Sequence, residues 1–256
     1  MSPFSKRLYL LYHELRDLPS DYLYAIDRVT FEQHADFFVQ ARSSFREILW
    51  PEITFDDGHI SNFDLALPIL AGRSLEATFF ITVGWTGTRE NYMGWDHLRA
   101  LTGAGQRIGA HGWTHTLLTH CDDQALRKEL TGARMVLEDR LGTAITSVSL
   151  PGGRFDRRVL AACAEAGYTQ IYTSIPKAAP SDGSALVGRL NIRSTMDVDW
   201  MARLLDPRSG LLAGLEHRDR WKHALQKTIG DRMYAKLWAV LNQHDAAATP
   251  DEAAGP

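Results

Sequence analysis

Residues 53–58 read Ile-Thr-Phe-Asp-Asp-Gly, an apolar run that ends in two adjacent carboxylates, Asp56 and Asp57. Neighbouring acids repel and must be kept in water or paired with something positive. A second group of ionisable residues follows in His-Gly-Trp-Thr-His, where His111 and His115 stand four apart, and a third stretch, Leu-Pro-Gly-Gly-Arg, occupies 150–154. Each is ordinary alone: Asp-Asp-Gly suits a polar turn, and histidines four apart occur at exposed helix starts. On a helical turn that spacing puts both imidazoles on one side, about 5–6 Å apart at Cβ. Two His and one Asp form an N/O donor set suited to zinc or another divalent transition metal, with positions left for water and substrate. Of the two acids, one would coordinate the cation. The other would take a proton from a water whose pKa the metal lowers toward about 7.

These residues need a scaffold that brings them together, and the hydrophobic pattern predicts one. Strands are expected at 7–13, 51–55, 76–84, 106–111, 144–150, 169–175 and 184–192, from short β-branched and aromatic runs bounded by turn residues. Between them lie helical periodicities at 30–41 with Thr30 as N-cap, 61–73 kinked at Pro68, 95–105, 122–142 stopped by Gly142, and 156–167 begun near Asp156. Helices follow at 198–205 and 219–243, and the small, polar 244–256 reads as a disordered tail. Strands alternating with helices argue for a parallel sheet, either doubly wound or an incomplete barrel. In such folds function collects at the C-terminal ends of strands. His13, Asp56 and Asp57, His111 and Leu150–Arg154 all fall there.

Composition narrows the classes. The chain has 256 residues, 45% hydrophobic and 23% charged, with a net charge of −3. That fits one large α/β domain or two small ones, and it gives no basic footprint for nucleic acid. Cys121 and Cys163 read as free thiols of a reducing compartment. The apolar run near the N-terminus is shorter than the roughly 7–15 residues of a signal-peptide core. No stretch nears the roughly 18 uninterrupted apolar residues of a membrane span. The expectation is a soluble, cytoplasmic protein, whose basic and aromatic C-terminal helices either touch a membrane surface peripherally or cover the fold.

Thr-Phe-Asp-Asp-Gly followed by His-Gly-Trp-Thr-His and then Leu-Pro-Gly-Gly resembles the polysaccharide deacetylases, the NodB homology domain of carbohydrate esterase family 4. The likeness runs from Leu8 to about Ser174 and takes in the connecting segments 63–85, 95–115 and 129–142. It implies a distorted (β/α) barrel of about seven parallel strands over 1–205, with a C-terminal helical extension over 206–243. It also implies a metal-dependent hydrolase that removes an acetyl group from an N-acetylated or O-acetylated sugar of a polysaccharide or its precursor. The metal would be zinc, with cobalt or nickel as alternatives. By position, Asp56 resembles the catalytic base and Asp57, His111 and His115 the metal triad. Pro151 and the Gly152 N–H fall where the family builds its oxyanion stabiliser.

Departures are specific. Many members carry an arginine two residues before the third-motif proline, orienting the base, and Ser149 stands there instead. Arg154, after the motif, is a possible substitute. A late Leu-x-His general acid has no clear counterpart; His217 has the look of one, and Asp199 with Trp200 echoes a further motif. His13 could contact substrate or be a hydrogen-bonded structural histidine. His59 could line the pocket or sit in a turn. His34, His97, His120, His223 and His244 read as surface residues. Trp85 and Trp95 could stack on a sugar or fill the core. Two other readings stand beside the first: hydrolysis of another C–N bond, in a cyclic imide or ureide, and a catalytically impaired carbohydrate-binding homologue.

Overall fold

The computed structural model describes residues 6–18, 20–44, 49–180 and 185–229. Its strands are β1 (Lys6–Tyr12), β2 (Glu14–Arg16), β3 (Ala25–Asp27), β4 (Trp50–Phe55), β5 (Ala77–Ile81), β6 (Arg107–Ala110), β7 (Ser147–Ser149), β8 (Gln170–Tyr172), β9 (Ala179–Pro180), β10 (Leu186–Val187) and β11 (Arg189–Asn191). Eight of them form one parallel sheet in the order β10-β8-β7-β6-β5-β4-β1-β11, and β9 adds antiparallel to β1. The outermost strands, β10 and β11, are consecutive in the chain and separated only by Gly188. The run 186–191 therefore pairs with β8 through its first half and with β1 through its second, which brings the two ends of the sheet together into a nearly closed barrel. The expected seventh strand is this run, split at Gly188. The separate pair β2 and β3 and the short β9 lie outside the sequence expectation, because each is two or three residues long and carries no readable period.

The helices are α1 (Arg28–Ser44), α2 (Leu67–Ala71), α3 (Trp95–Gly103), α4 (Asp123–Arg127), α5 (Ala133–Leu141), α6 (Arg157–Glu165), α7 (Val198–Leu205) and α8 (Leu211–Ile229). Aspartates set several starts: Asp122, Asp156 and Asp197 each accept from the backbone N–H three residues on, at 2.8 Å. Thr30 is not the N-cap of α1. Asp27 is, accepting from the Thr30 N–H at 2.9 Å. The long helix expected over 122–142 is α4 and α5 joined by a π-helical stretch, Lys128–Gly132, and Gly142 ends it at φ 66° as expected. A second π-helical turn, Asn62–Ala66, precedes Pro68, whose missing N–H breaks the regular ladder. Asp197 capping α7 also accounts for Asp199 and Trp200, which belong to that helix start.

α8 lies against α7 and buries part of Leu211, Leu212 and Leu215 on the core. The helix expected to continue to 243, the tail 244–256 and most of the membrane-contact expectation lie outside the described residues. No described helix is long and apolar enough to cross a membrane.

The core fills the space between sheet and helices. Phe55 and Phe79 stack at 4.9 Å between ring centres, Phe31 meets Phe55 edge-on, and Tyr12 meets Phe31 edge-on. His34 belongs to this layer and not to the surface. It is fully buried, with Nδ1 accepting from Tyr12 Oη at 3.1 Å and Nε2 donating to the Met196 carbonyl at 2.9 Å. Its place was visible in the stripe Phe31, His34, Ala35, Phe38, which has helical spacing. Cys121 and Cys163 are free thiols.

Gly109, in the middle of β6, tests the packing inside the barrel. A Cβ there would lie 2.5 Å from the Phe80 ring and 2.7 Å from Ser147 Oγ. Gly109→Ala should cost about 1–3 kcal/mol in urea unfolding. An unchanged midpoint would show that this wall is looser than described.

Candidate active site

Asp56 and Asp57 follow β4 directly, and backbone geometry separates their side chains. Asp57 has φ 73°, the left-handed region that non-glycine residues seldom adopt. His115 has φ 65° and Gly112 φ 75°. The segment 111–115 is therefore a loop and not the helical turn expected for the histidine pair, but it still brings the rings to 5.0 Å. Such strain persists only where surroundings enforce it. Here the enforcing group is Glu129, from the π-helical stretch: Oε2 accepts from the Trp113 and Thr114 N–H groups at 2.6 and 3.0 Å, and Oε1 from Thr114 Oγ1 at 2.6 Å. Gly112 is required beside it, since a Cβ would lie 2.8 Å from Glu129 Oε2.

Three donor atoms converge. Asp57 Oδ1 lies 3.2 Å from His111 Nε2 and 3.3 Å from His115 Nε2. His111 Nδ1 donates to the Ser149 carbonyl at 2.9 Å, which leaves Nε2 as a lone-pair donor facing the carboxylate. Asp57 Oδ1 is buried without a hydrogen bond of good geometry. An ion bound at about 2.0–2.1 Å in tetrahedral geometry holds its ligands about 3.3 Å apart. The observed separations match that spacing, and the donor chemistry fits a divalent transition metal. Burial pushes the Asp57 carboxyl up, but when His111 and His115 carry protons on the nitrogens that face it, their hydrogen bonds and charge outweigh burial and hold it well below the usual range.

Asp56 is only 2% exposed and lies beside this cluster, with Oδ2 at 3.8 Å from His111 Nε2. Arg189, from β11, meets it with a two-pronged contact: Nη1 donates to Oδ1 and Nη2 to Oδ2, each at 2.7 Å. Ser149 Oγ donates to Oδ2 at 2.8 Å. Burial pushes this carboxyl up as well, but the Arg189 charge and hydrogen bonds and the nearby His111 bring it below its ordinary value. Arg154 does not fill this role; it is exposed, and both Asp56 oxygens are taken by Arg189.

The remaining candidates form the surroundings. His13, at the end of β1, is close enough to feel the charges of Asp57 and Asp56. Burial pushes its imidazole down, and Nδ1 has no partner. His59 is pinned locally, with Nδ1 2.8 Å from Ser61 Oγ and the ring against Tyr92. Pro151 is buried, and Gly152 beside it is exposed at φ 62° in the turn after β7. Trp85 lies 5.1 Å from the His115 ring, with Arg89 over its face at 4.3 Å. Trp95 packs against the core. His217 is not part of the site; it is exposed on α8 and accepts from Trp221 Nε1 at 2.7 Å. A cavity of about 510 Å³ opens at the opposite end of the barrel, near Arg7, Glu52 and Arg107, and holds none of these residues. Arg189 and Glu129 are the contributors that motif reading missed.

Comparison with known proteins agrees with the motifs. Residues 51–171 match the family model for polysaccharide deacetylase. The chain is 27% identical over 130 residues to YxkH of Bacillus subtilis (strain 168), covering 51% of this chain and 46% of that protein. It is 28% identical over 136 residues to chitin deacetylase 1 of Cryptococcus neoformans, covering 53% of this chain and 27% of the other. These matches thus span less than half the length of either relative. Among solved structures, the Streptococcus pyogenes deacetylase PplD in complex with acetate superposes with a TM-score of 0.70 at 19% identity, over 79% of this chain and 99% of that one. IcaB from Ammonifex degensii gives 0.63 at 23% identity, over 77% and 96%. Both share the barrel fold.

Removal of Glu129 should be felt in the loop that carries the histidines. Glu129→Ala leaves two backbone N–H groups without their acceptor and should cost about 1.5–3 kcal/mol in urea unfolding. Near-neutral behaviour would mean that the 111–115 loop holds its shape by itself.

Proposed function

We propose that this polysaccharide deacetylase homologue is a metal-dependent hydrolase that releases acetate from an acetylated carbohydrate, N-acetylated or O-acetylated. The observation that carries the reading is the convergence of Asp57 Oδ1, His111 Nε2 and His115 Nε2 at ligand spacing, beside a separately neutralised Asp56. Asp57, His111 and His115 would hold one divalent ion, zinc first and cobalt or nickel as alternatives. When bound, that ion would supply Lewis-acid polarisation of a water and of the acetyl carbonyl.

The chain's own residues do the rest. Asp56 is the general base. A carboxylate offers about four lone-pair directions, and Arg189 and Ser149 occupy three of them. The remaining one, on Oδ1, accepts the proton of the attacking water. The Gly152 N–H, in the turn after β7, is assigned to the oxyanion of the tetrahedral stage, with Pro151 fixing that turn. His13, held neutral by burial, and His59 line the approach. Trp85, beside His115 and covered on its face by Arg89, borders the site.

The test is acetate release from a panel of polymeric, lipid-linked and nucleotide-linked acetylated sugars, with and without chelator. Turnover should require a divalent ion and stop with chelator. His111→Ala should lose the ion. Asp56→Asn should keep it and lose about 100-fold or more in kcat. Hydrolysis of cyclic imides or ureides with no acetate from any glycan would redirect the reading to another C–N bond. A protein that takes up no zinc, cobalt or nickel on supplementation would sink both enzyme readings.

A further inference from the structure

The cavity of about 510 Å³ at the far end of the barrel is built by β1, β4, β5, β6, β7 and β8, which are consecutive in the sheet and all send side chains into it. A barrel interior is ordinarily filled by layers of bulky branched residues. Here β4, β5 and β7 bring Thr54, Thr78 and Ser147, small side chains that leave the space open and line it with hydroxyls. Arg7, Glu52 and Arg107 are the charged side chains of the lining. Glu52 stands between the two arginines: Arg7 Nη1 donates to Oε1, and Arg107 Nη2 lies 3.6 Å from Oε2. Arg107 also donates from Nη1 to Glu76 at 2.7 Å and from Nε to Thr78 Oγ1 at 3.2 Å. Tyr9 and Tyr172 complete the wall, their ring centres 5.4 Å apart and their planes at 78°.

We infer that this cavity is a binding site for a neutral, hydroxyl-rich ligand, a segment of one or two sugar rings, separate from the candidate active site. Its volume falls within the about 300–1,000 Å³ of small-molecule sites. An apolar ligand would strand the carboxylate, guanidinium and hydroxyl groups without water or partner. An ionic ligand finds no spare charge, because two cations already meet two carboxylates and one pair would have to be broken. A sugar meets both conditions. Its hydroxyls can donate to Glu52 and accept from the arginines, and its C–H faces suit the tyrosine rings. The charged groups are held by one another before any ligand arrives, which lowers the cost of ordering them on binding. The inner end of the cavity is closed by Thr54 and Tyr172, backed by the wholly buried Arg189. Arg189 Nη1 donates to Thr54 Oγ1 at 3.3 Å, and the guanidinium lies 5.7 Å from the Tyr172 ring centre. Asp56 is on the other side of that partition, so a sugar held here is not the group under attack. The inference does not depend on the deacetylase reading.

The experiment is calorimetric titration of the full chain with glucose, galactose, cellobiose and lactose, none of which carries an acetyl group, and with inorganic phosphate. At least one sugar should bind at one site per chain with a Kd on the order of 1 mM, and phosphate about tenfold more weakly or not at all. Thr146 is exposed on the cavity rim. Thr146→Trp should block the entrance and weaken the sugar about tenfold or more at an unchanged urea midpoint. Glu52→Gln removes the central carboxylate, and should weaken the sugar about tenfold while strengthening phosphate about as much. His111→Ala should leave sugar binding as it is. The inference is overturned if no sugar binds up to about 50 mM, or if phosphate binds wild type more tightly than every sugar. Binding that Thr146→Trp and Glu52→Gln both spare, or that His111→Ala removes, would place the sugar elsewhere and overturn it too.

Discussion

A carboxylate as deeply buried as Asp56 stays ionised only with a counter-charge in contact, and Arg189 provides it at 2.7 Å on both oxygens. Everything else in the site is arranged around that constraint. Asp57, one residue later, has a different remedy for its charge, the nitrogen donors of His111 and His115 and the cation they can enclose. Two like charges at adjacent positions thus coexist because each faces a different electropositive neighbour. The left-handed turn at Asp57 makes that possible by rotating the second side chain away from the first.

The same logic explains the shape of the histidine loop. A regular helix would set His111 and His115 at the right spacing but leave their backbone self-satisfied. The loop instead spends its N–H groups on Glu129, which lets His111 anchor Nδ1 on the Ser149 carbonyl. Ser149 is therefore a shared support: its carbonyl orients a candidate ligand and its hydroxyl holds the candidate base. A residue that looked like a missing arginine in sequence joins the two halves of the site.

Much of this was legible beforehand. Seven strand segments, the strand-end placement of Asp56, Asp57, His111 and the Pro151–Gly152 turn, and most helix positions follow from period and punctuation, which are local properties. What escaped was non-local or conformational. Nothing around Arg189 announces a partner more than a hundred residues away, and a positive φ at Asp57 or His115 has no composition cue such as glycine. Glu129 looked like one more acid on an amphipathic helix, because the π-helical stretch that turns it inward has the same residue types as an α-helix. Thr30 drew the helix start away from Asp27 because both are good caps. Arg154 drew attention by nearness in sequence, whereas the needed guanidinium came by nearness in space.

The run 186–191 joins the first and last strands of the sheet, and it is made late. A chain leaving the ribosome carries Asp56 for 133 residues before Arg189 exists, which at about 5–20 residues per second is on the order of ten seconds. During that interval an acid destined for the interior has no counter-charge, so its burial is unfavourable and that end of the sheet has reason to stay open and hydrated. Arrival of the closing strand removes the penalty and completes the hydrogen bonds around Asp56 in one event. Synthesis order and charge balance together make the finished barrel the first species in which Asp56 has this counter-charge.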